Sequence, residues 1–418
     1  RTLVVVAAAL TVLGAVWLVH SNREGLRQGL ARLSQVAMRR TPTPTSTLVP
    51  TERTPGPEPS LTPTRGWLFH IPLVRRSEGE PTATPTPEVS KTPKPPTTKT
   101  PKPTATPTRP WPEPLAVPPP SKIGLHVQWN NSPDIMEYIR RYKPRVVKSV
   151  GDFGFFDELK QESPQTIIVA RIEDRISLEG DPAAAAQAFV NKHLDSYRAN
   201  PLVDYWEGLN EPDVADRMDW YAQFEAERVR AMAAHGFRCA IGSFSTGVPE
   251  WDGMRQFLPA ISVGKQHGAV LSLHEYDAPT MERSVGAGLP GHPNHPDRGA
   301  LTLRYRWWYQ DHLIPNGLVI PLIITEAGVD GLVTNRPGPK AHGWYDFHTY
   351  WRDNGLGDDP VVTYMQQLSW YDSELRKDSY VLGCTVFTVG PMNDDWRSYD
   401  VTPVLKDLAA LVVIPTVR

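Results

Sequence analysis

LHVQWNNSPD (residues 125–134) runs from an apolar alternating stretch through a short polar turn into a helix start. Ser132 is a good helix N-cap, and Pro133 follows at the first helical position, where its missing N–H costs nothing. No glycine lies between strand and helix. A doubly wound nucleotide-binding sheet carries a glycine-rich phosphate turn after its first strand, so this turn speaks against that architecture. Outward from it, the same rhythm repeats. Apolar, β-branched runs occur at 122–129, 145–150, 166–172, 202–210, 237–244, 269–276, 318–326 and 380–389. Helical punctuation separates them: Ser132-Pro133, Asp181-Pro182 before AAAAQAFVNKHLDSY, and a segment at 219–236 that stops on Gly236. Further helices are expected at 253–260, 300–313, 359–377 and 402–413. Eight strands, each followed by a helix, predict a (β/α)8 TIM barrel over 121–418.

Composition changes sharply before Ser121. Of the 43 prolines, 23 fall between Thr41 and Pro120, in strings such as PTATPTPEVSKTPKPPTTKTPKPTATPTRP. Thr/Pro text of this kind buries no core and favours extended polyproline II, so residues 23–120 are expected to be a disordered stalk. An apolar island at 66–76 interrupts it. Upstream, LVVVAAALTVLGAVWLV (3–19) is an unbroken apolar run, just long enough with its flanks to cross a bilayer. Residues 1–22 are therefore expected to be a transmembrane anchor, or a signal segment if cleaved. Arg23, Arg27, Arg32, Arg39 and Arg40 follow the run, which by charge alone favours the opposite orientation. The stalk nevertheless suits a cell-surface or secreted protein. A net charge of −2 gives no reason to expect nucleic acid as a partner. Cys239 and Cys384 sit in apolar runs and read as buried free thiols rather than a disulfide.

The fourth run ends YWEGLNEP (205–212), with its most polar residues where the chain leaves the sheet, and the seventh ends LIITEAG. In a TIM barrel the strand ends and the loops after them build the active face. Glu211 and Glu326 are thus expected to face each other across the barrel mouth. Two such carboxyls suit glycoside hydrolysis: one protonates the leaving oxygen, the other attacks the anomeric carbon or activates water. Asn210 is placed to hydrogen-bond a neighbouring sugar hydroxyl.

These residues resemble the clan A retaining glycoside hydrolases, (β/α)8 enzymes with an Asn-Glu pair ending strand four and a glutamate ending strand seven. The resemblance covers residues 121–418. It implies Glu211 as general acid/base, Glu326 as nucleophile, and retained configuration. It also implies that His274 and Tyr276, on one face of LSLHEY, contact the nucleophile. Two departures accompany it. The clan's arginine near the end of strand two is replaced by Lys148, with Arg171 at the end of strand three as substitute. The clan's tryptophan at the end of strand eight has no match nearer than Trp396.

Among the 13 tryptophans, Trp129, Trp251, Trp344, Trp351 and Trp396 fall in loops, and Trp129 and Trp396 are the best candidates to stack on a sugar face. Long loops at 277–299 and 327–358 are expected to wall the cleft. His292, His295, His342 and His348 match no familiar ligand spacing, so neither metal nor cofactor is expected. The expected partner is a polysaccharide or oligosaccharide. A carbohydrate-binding pseudoenzyme on the same barrel is the alternative. A metal-dependent barrel hydrolase typically needs an H-x-H pair where LHVQW supplies only His126.

Overall fold

The computed structural model describes residues 110–113 and 121–413. The expected anchor (1–22), the island at 66–76 and the expected stalk apart from 110–113 lie outside the described residues; 110–113, expected to be disordered, instead pack on the barrel, with Trp111 against Tyr142 and the Tyr142 hydroxyl donating to the Pro112 carbonyl. No helix among the described residues is long and apolar enough to cross a membrane.

Eight parallel strands make the sheet: β1 Ile123–Val127, β2 Val146–Val150, β3 Ile167–Arg171, β4 Tyr205–Trp206, β5 Ala240–Phe244, β6 Val270–Asp277, β7 Leu322–Val329 and β8 Val381–Val389. Their order is β4-β3-β2-β1-β8-β7-β6-β5, and a bridge from Trp206 to Cys239 joins the two ends. The expected (β/α)8 barrel is the observed one. Strands buried on both faces need continuous apolar text, which is why these runs read so clearly.

Helices follow in the expected places. α1 (Pro133–Tyr142) is capped by Ser132, whose Oγ accepts from the Asp134 N–H, and it ends on Lys143 in the left-handed conformation. α2 (Phe156–Glu162) follows β2 and was not foreseen: only Phe156 and Leu159 of its residues are buried, too few for a periodic signal. α3 (Pro182–Ala199) is capped by Asp181 and α4 (Met218–Ala234) is followed by Gly236 at φ +83°. The single helix expected at 253–260 is two, α5 (Trp251–Gln256) and α6 (Leu258–Gln266), because Pro259 lacks the N–H that would continue the first into the second. After β6, α7 (Tyr305–Trp307) runs into a π-helical turn at Trp308–Leu313. α8 (His348–Asp353) lies in the loop after β7; α9 (Pro360–Lys377) and α10 (Leu405–Val413) complete the ring.

The barrel interior is layered. Val146, Val169, Tyr205, Ala240, Val270 and Ile323 form an apolar floor. Burying a valine or isoleucine of this layer contributes about 1.5–3 kcal/mol. Two residues further along β2, β3 and β6, and just past β4, the same pleat face carries Lys148, Arg171, Ser272 and Glu207, all buried. A charged layer therefore rests directly on the apolar one, and the candidate site rests on both.

Strand four differs from expectation. The apolar run 202–210 predicts a full strand, yet only Tyr205 and Trp206 join the ladder. The reason is Arg228 on α4. Fully buried, it donates from Nη1 to the Trp206 carbonyl (3.2 Å) and from Nη2 to the Ala240 carbonyl (2.9 Å), so a side chain satisfies acceptors that a strand partner would otherwise take. Glu225 pairs with that guanidinium at 2.7 Å. Gly208 passes tightly over the pair, since a Cβ there would sit 2.8 Å from Arg228 Nε and 2.9 Å from Glu225 Oε1.

Candidate active site

Glu211 emerges from this broken strand. Its φ of +43° is the left-handed region that a non-glycine residue rarely adopts, and its N–H donates to the Ser243 carbonyl at the end of β5 (3.0 Å). The twist aims the carboxylate over the barrel mouth, where 34% of the side chain stays exposed. Its Oε1 is hydrogen-bonded to His274 Nδ1 at 2.8 Å.

Glu326 has the opposite setting. It lies inside β7 rather than at its end, paired in register with His274 of β6, at a bulge between Ile324 and Ala327 that re-aims the chain. Its side chain is 9% exposed. Lys148 Nζ donates to Oε1 at 2.8 Å and Arg171 Nη1 to the same oxygen at 3.3 Å. The Tyr276 hydroxyl donates to Oε2 at 2.9 Å, and His274 Nδ1 lies 3.5 Å from it. Burial works against ionisation here, but the surrounding charges of His274, Lys148 and Arg171 outweigh it and hold Glu326 well below the usual carboxylate range. His126, 4.0 Å away, is kept neutral by burial and by the Lys148 charge.

The structure thus brings together Glu211, Glu326, His274, Tyr276, Lys148 and Arg171. Asn210 adjoins them, and its Oδ1 is buried with no hydrogen-bond partner among the described residues. The tryptophans fare differently. Trp129 is 55% exposed beside the turn at Gly390. Trp396 packs edge-on against Phe387, with ring centroids 5.2 Å apart. Trp344 and Trp351 are buried, and Trp251 stacks on His292 at 4.0 Å, so none of these three offers a free sugar platform in the loops.

Three features of the site escape sequence reasoning. Glu207 is fully buried, with Oε2 2.9 Å from Lys148 Nζ and 3.4 Å from Arg171 Nη1, while Oε1 accepts from Ser272 Oγ at 2.7 Å. It holds both cations under Glu326, and they in turn keep it ionised despite its burial. Its only sequence signal is a carboxylate in an otherwise buried run. Phe387 in β8 is the second: its ring meets Tyr276 (6.2 Å), His126 (4.9 Å) and Trp396 edge-on, which fills the wall where a tryptophan was sought. Asp330, just past β7, is the third. It accepts from the Tyr399 hydroxyl at 2.6 Å and from the Leu332 N–H at 2.7 Å. Burial, aided by the charges of Glu211 and Glu326, pushes its carboxyl up to about 6.

Glu211, His274 and Glu326 are also the one group among the described residues that could hold a metal ion, their donor atoms lying within 4.8 Å of one another. The setting fits that poorly. Lys148 and Arg171 already bind Glu326, and a cation there would face both at close range. The loop histidines are dispersed: His292 on Trp251, His295 against Trp307, His342 with Asp346. Cys239 and Cys384 are buried free thiols.

No protein-family model matches this chain, and no curated protein matches it in sequence. Solved structures with a similar fold include a family 39 glycoside hydrolase from Bacteroides cellulosilyticus, 14% identical over 71% of this chain and 64% of that one, with a TM-score of 0.47. This chain therefore spans less than two thirds of that protein. Others are a glucosidase from Croceicoccus marinus (12% identical, 71% and 69% covered, TM-score 0.44) and an endo-1,4-beta-D-mannanase from Thermotoga petrophila (12%, 70% and 99%, 0.35).

Proposed function

We propose that the chain is a retaining glycoside hydrolase in which Glu326 is the nucleophile and Glu211 the general acid/base. The observation that carries this reading is one pair of carboxylates in two contrasting environments, with an oxygen of each within 4.8 Å of the other. Retaining enzymes keep their two carboxyls about 5–5.5 Å apart, whereas inverting ones leave about 6.5–9.5 Å for a water. In the first step Glu326 attacks the anomeric carbon and forms a C–O ester bond, while the glycosidic bond breaks and Glu211 gives its proton to the departing oxygen. In the second, Glu211 takes a proton from water, the water oxygen bonds the anomeric carbon, and the ester electrons return to Glu326.

The surroundings support these roles. Lys148, Arg171 and Tyr276 keep Glu326 ionised and fixed, as a nucleophile needs. Glu211, partly exposed, can exchange its proton with solvent between steps. His274 lies between the two carboxylates and holds Glu211 in place. We read residues 1–22 and 23–120 as an anchor and stalk that present the barrel to extracellular glycans, or as a leader and spacer if the first is cleaved.

Product release from a panel of aryl glycosides and polysaccharides tests the reading, with Glu326→Gln beside the wild type. Turnover in the wild type that falls by on the order of 10⁴-fold or more in the mutant supports it. Glycan binding without turnover replaces it with a binding protein.

A further inference from the structure

The rim of the barrel bears on how long the glycan is, an inference that rests on the glycosidase reading. Among the described tryptophans, Trp129 alone has a ring that meets no other aromatic ring; every other one packs against a neighbour. It is also 55% exposed. Single exposed apolar residues are ordinary, but this one is neither alone nor loosely held.

Trp129 lies in the turn after β1, which is stitched to the turn after β8. The Gln128 N–H donates to the Val389 carbonyl at 3.1 Å, and Gln128 Oε1 accepts from the Met392 N–H at 3.1 Å. Gly390, at φ +59°, passes so close that a Cβ there would sit 1.8 Å from the Trp129 carbonyl oxygen. Its N–H donates to Thr402 Oγ1 at 2.9 Å. On the other side, the Asn130 N–H donates to Asp152 Oδ2, just past β2, at 2.8 Å. Met392, itself exposed, shares this edge, and Asn130 Oδ1 is buried with no hydrogen-bond partner among the described residues. An aromatic face beside an amide oxygen fits a sugar, which offers C–H faces and hydroxyls together. Two large apolar side chains fall far short of the about 20–30 residues that a protein partner would cover.

Position in the barrel gives this platform its place on the substrate. His126, three residues before Trp129, has its Nδ1 4.0 Å from Glu326 Oε1. Three residues of extended chain reach about 10 Å, so Trp129 belongs to the rim above the nucleophile and serves a unit other than the one attacked. Which unit that is follows from the strand order. Glu211 leaves β4 and is bonded to β5, and in the closed sheet β1 and β8 lie straight across from those two strands. The departing oxygen, and the sugar that leaves with it, lie on the Glu211 side. The β1–β8 side therefore receives the non-reducing part of the chain.

We propose that the glycan continues beyond the reacting sugar on its non-reducing side, and that Trp129, with Met392 and Asn130 beside it, holds the next unit. The chain is cut internally, and the product leaves as an oligosaccharide rather than as a single sugar.

The full chain, assayed on aryl glycosides with one, two or three sugar units before the aryl group, tests this, because only the non-reducing side then grows. Glucose, galactose, mannose and xylose series in both anomeric forms are the probes. In the series that is turned over, kcat/KM should rise by at least about 10-fold from one unit to two. Trp129→Ala should remove most of that gain, and Trp129→Phe, which keeps an aromatic face, should restore much of it. Thermal melting establishes that both variants are folded. From a polysaccharide of the same sugar, mass spectrometry should find oligosaccharides as the first products. A flat dependence on length, a gain untouched in Trp129→Ala, or single sugars as the first product overturns the proposal. If no series is turned over, calorimetric titration with the matching free oligosaccharides decides instead. Binding that tightens with length and weakens in Trp129→Ala upholds the platform and removes only the glycosidase reading. No binding, or binding equal in the variant, overturns it.

Discussion

Glu211 and Glu326 are the same side chain set in two contrasting parts of one barrel. Glu326 sits within a continuous strand, buried, with Lys148, Arg171 and Tyr276 fixing both of its oxygens. Glu211 hangs from an interrupted strand in a left-handed conformation, a third exposed, with one hydrogen-bonded partner, His274. A strand paired on both sides gives rigidity and dryness even at a bulge, while a broken one gives reach and access to water. Double displacement needs one carboxylate of each sort, because only different environments let two glutamates differ in proton affinity.

The comparison breaks most visibly by removing the exposed partner. Glu211→Ala should cost about 10²–10⁴-fold in kcat on glycosides with poor leaving groups. On activated aryl glycosides the first step needs no proton, and the loss there should be far smaller. Steady-state kinetics on both substrate types check this, and equal losses on the two would end the assignment of Glu211 as the acid.

The rigid partner can be attacked from below. Glu207→Ala leaves Lys148 and Arg171 under Glu326 with only one of the two carboxylates they share. Breaking a buried ion pair from one side costs about 3–5 kcal/mol, and urea denaturation should register a loss of that order. A variant as stable as the wild type would mean that Glu326 alone suffices to neutralise both cations.

The smallest effect concerns pH. Glu326 is depressed below the ordinary carboxylate value, so its reactive ionised form persists to acidic pH and is lost only as pH falls through that lowered value. Lys148→Met should raise the acid limb of the kcat/KM profile by about 1–2 units, since an opposite charge at this distance shifts a carboxyl by roughly that much. An unmoved limb would show that Lys148 does not set the nucleophile's ionisation.

Much of this was legible in advance, and unevenly. The positions of all eight strands are readable because each lies in an apolar run bounded by helical or turn punctuation, a local signal. Asn210, Glu211 and Glu326 stand out because polar residues end such runs. The interruption of β4 is not readable, because its cause lies on α4, where Arg228 takes the place of a strand partner. Glu207 looks like any charged residue in an apolar run until Lys148 and Arg171 arrive from β2 and β3. Phe387 carries no signal of its own, since a phenylalanine in an apolar run reads as core, and Trp344 and Trp351 show that a tryptophan in a long loop can be as buried as one in a helix.

The interruption between β4 and β5 has a mechanical side. Glu207 donates its N–H to Ala170 of β3, whereas Glu211 donates to Ser243 of β5. The line where the barrel is least stitched together therefore passes between these two residues, across Gly208, Leu209 and Asn210. Glu211, His274 and Glu326 all belong to the β5–β7 side of that line. Across that line the nucleophile is still tied to β2 and β3 through Lys148 and Arg171, so side-chain ion pairs close the barrel where its backbone ladder is thinnest.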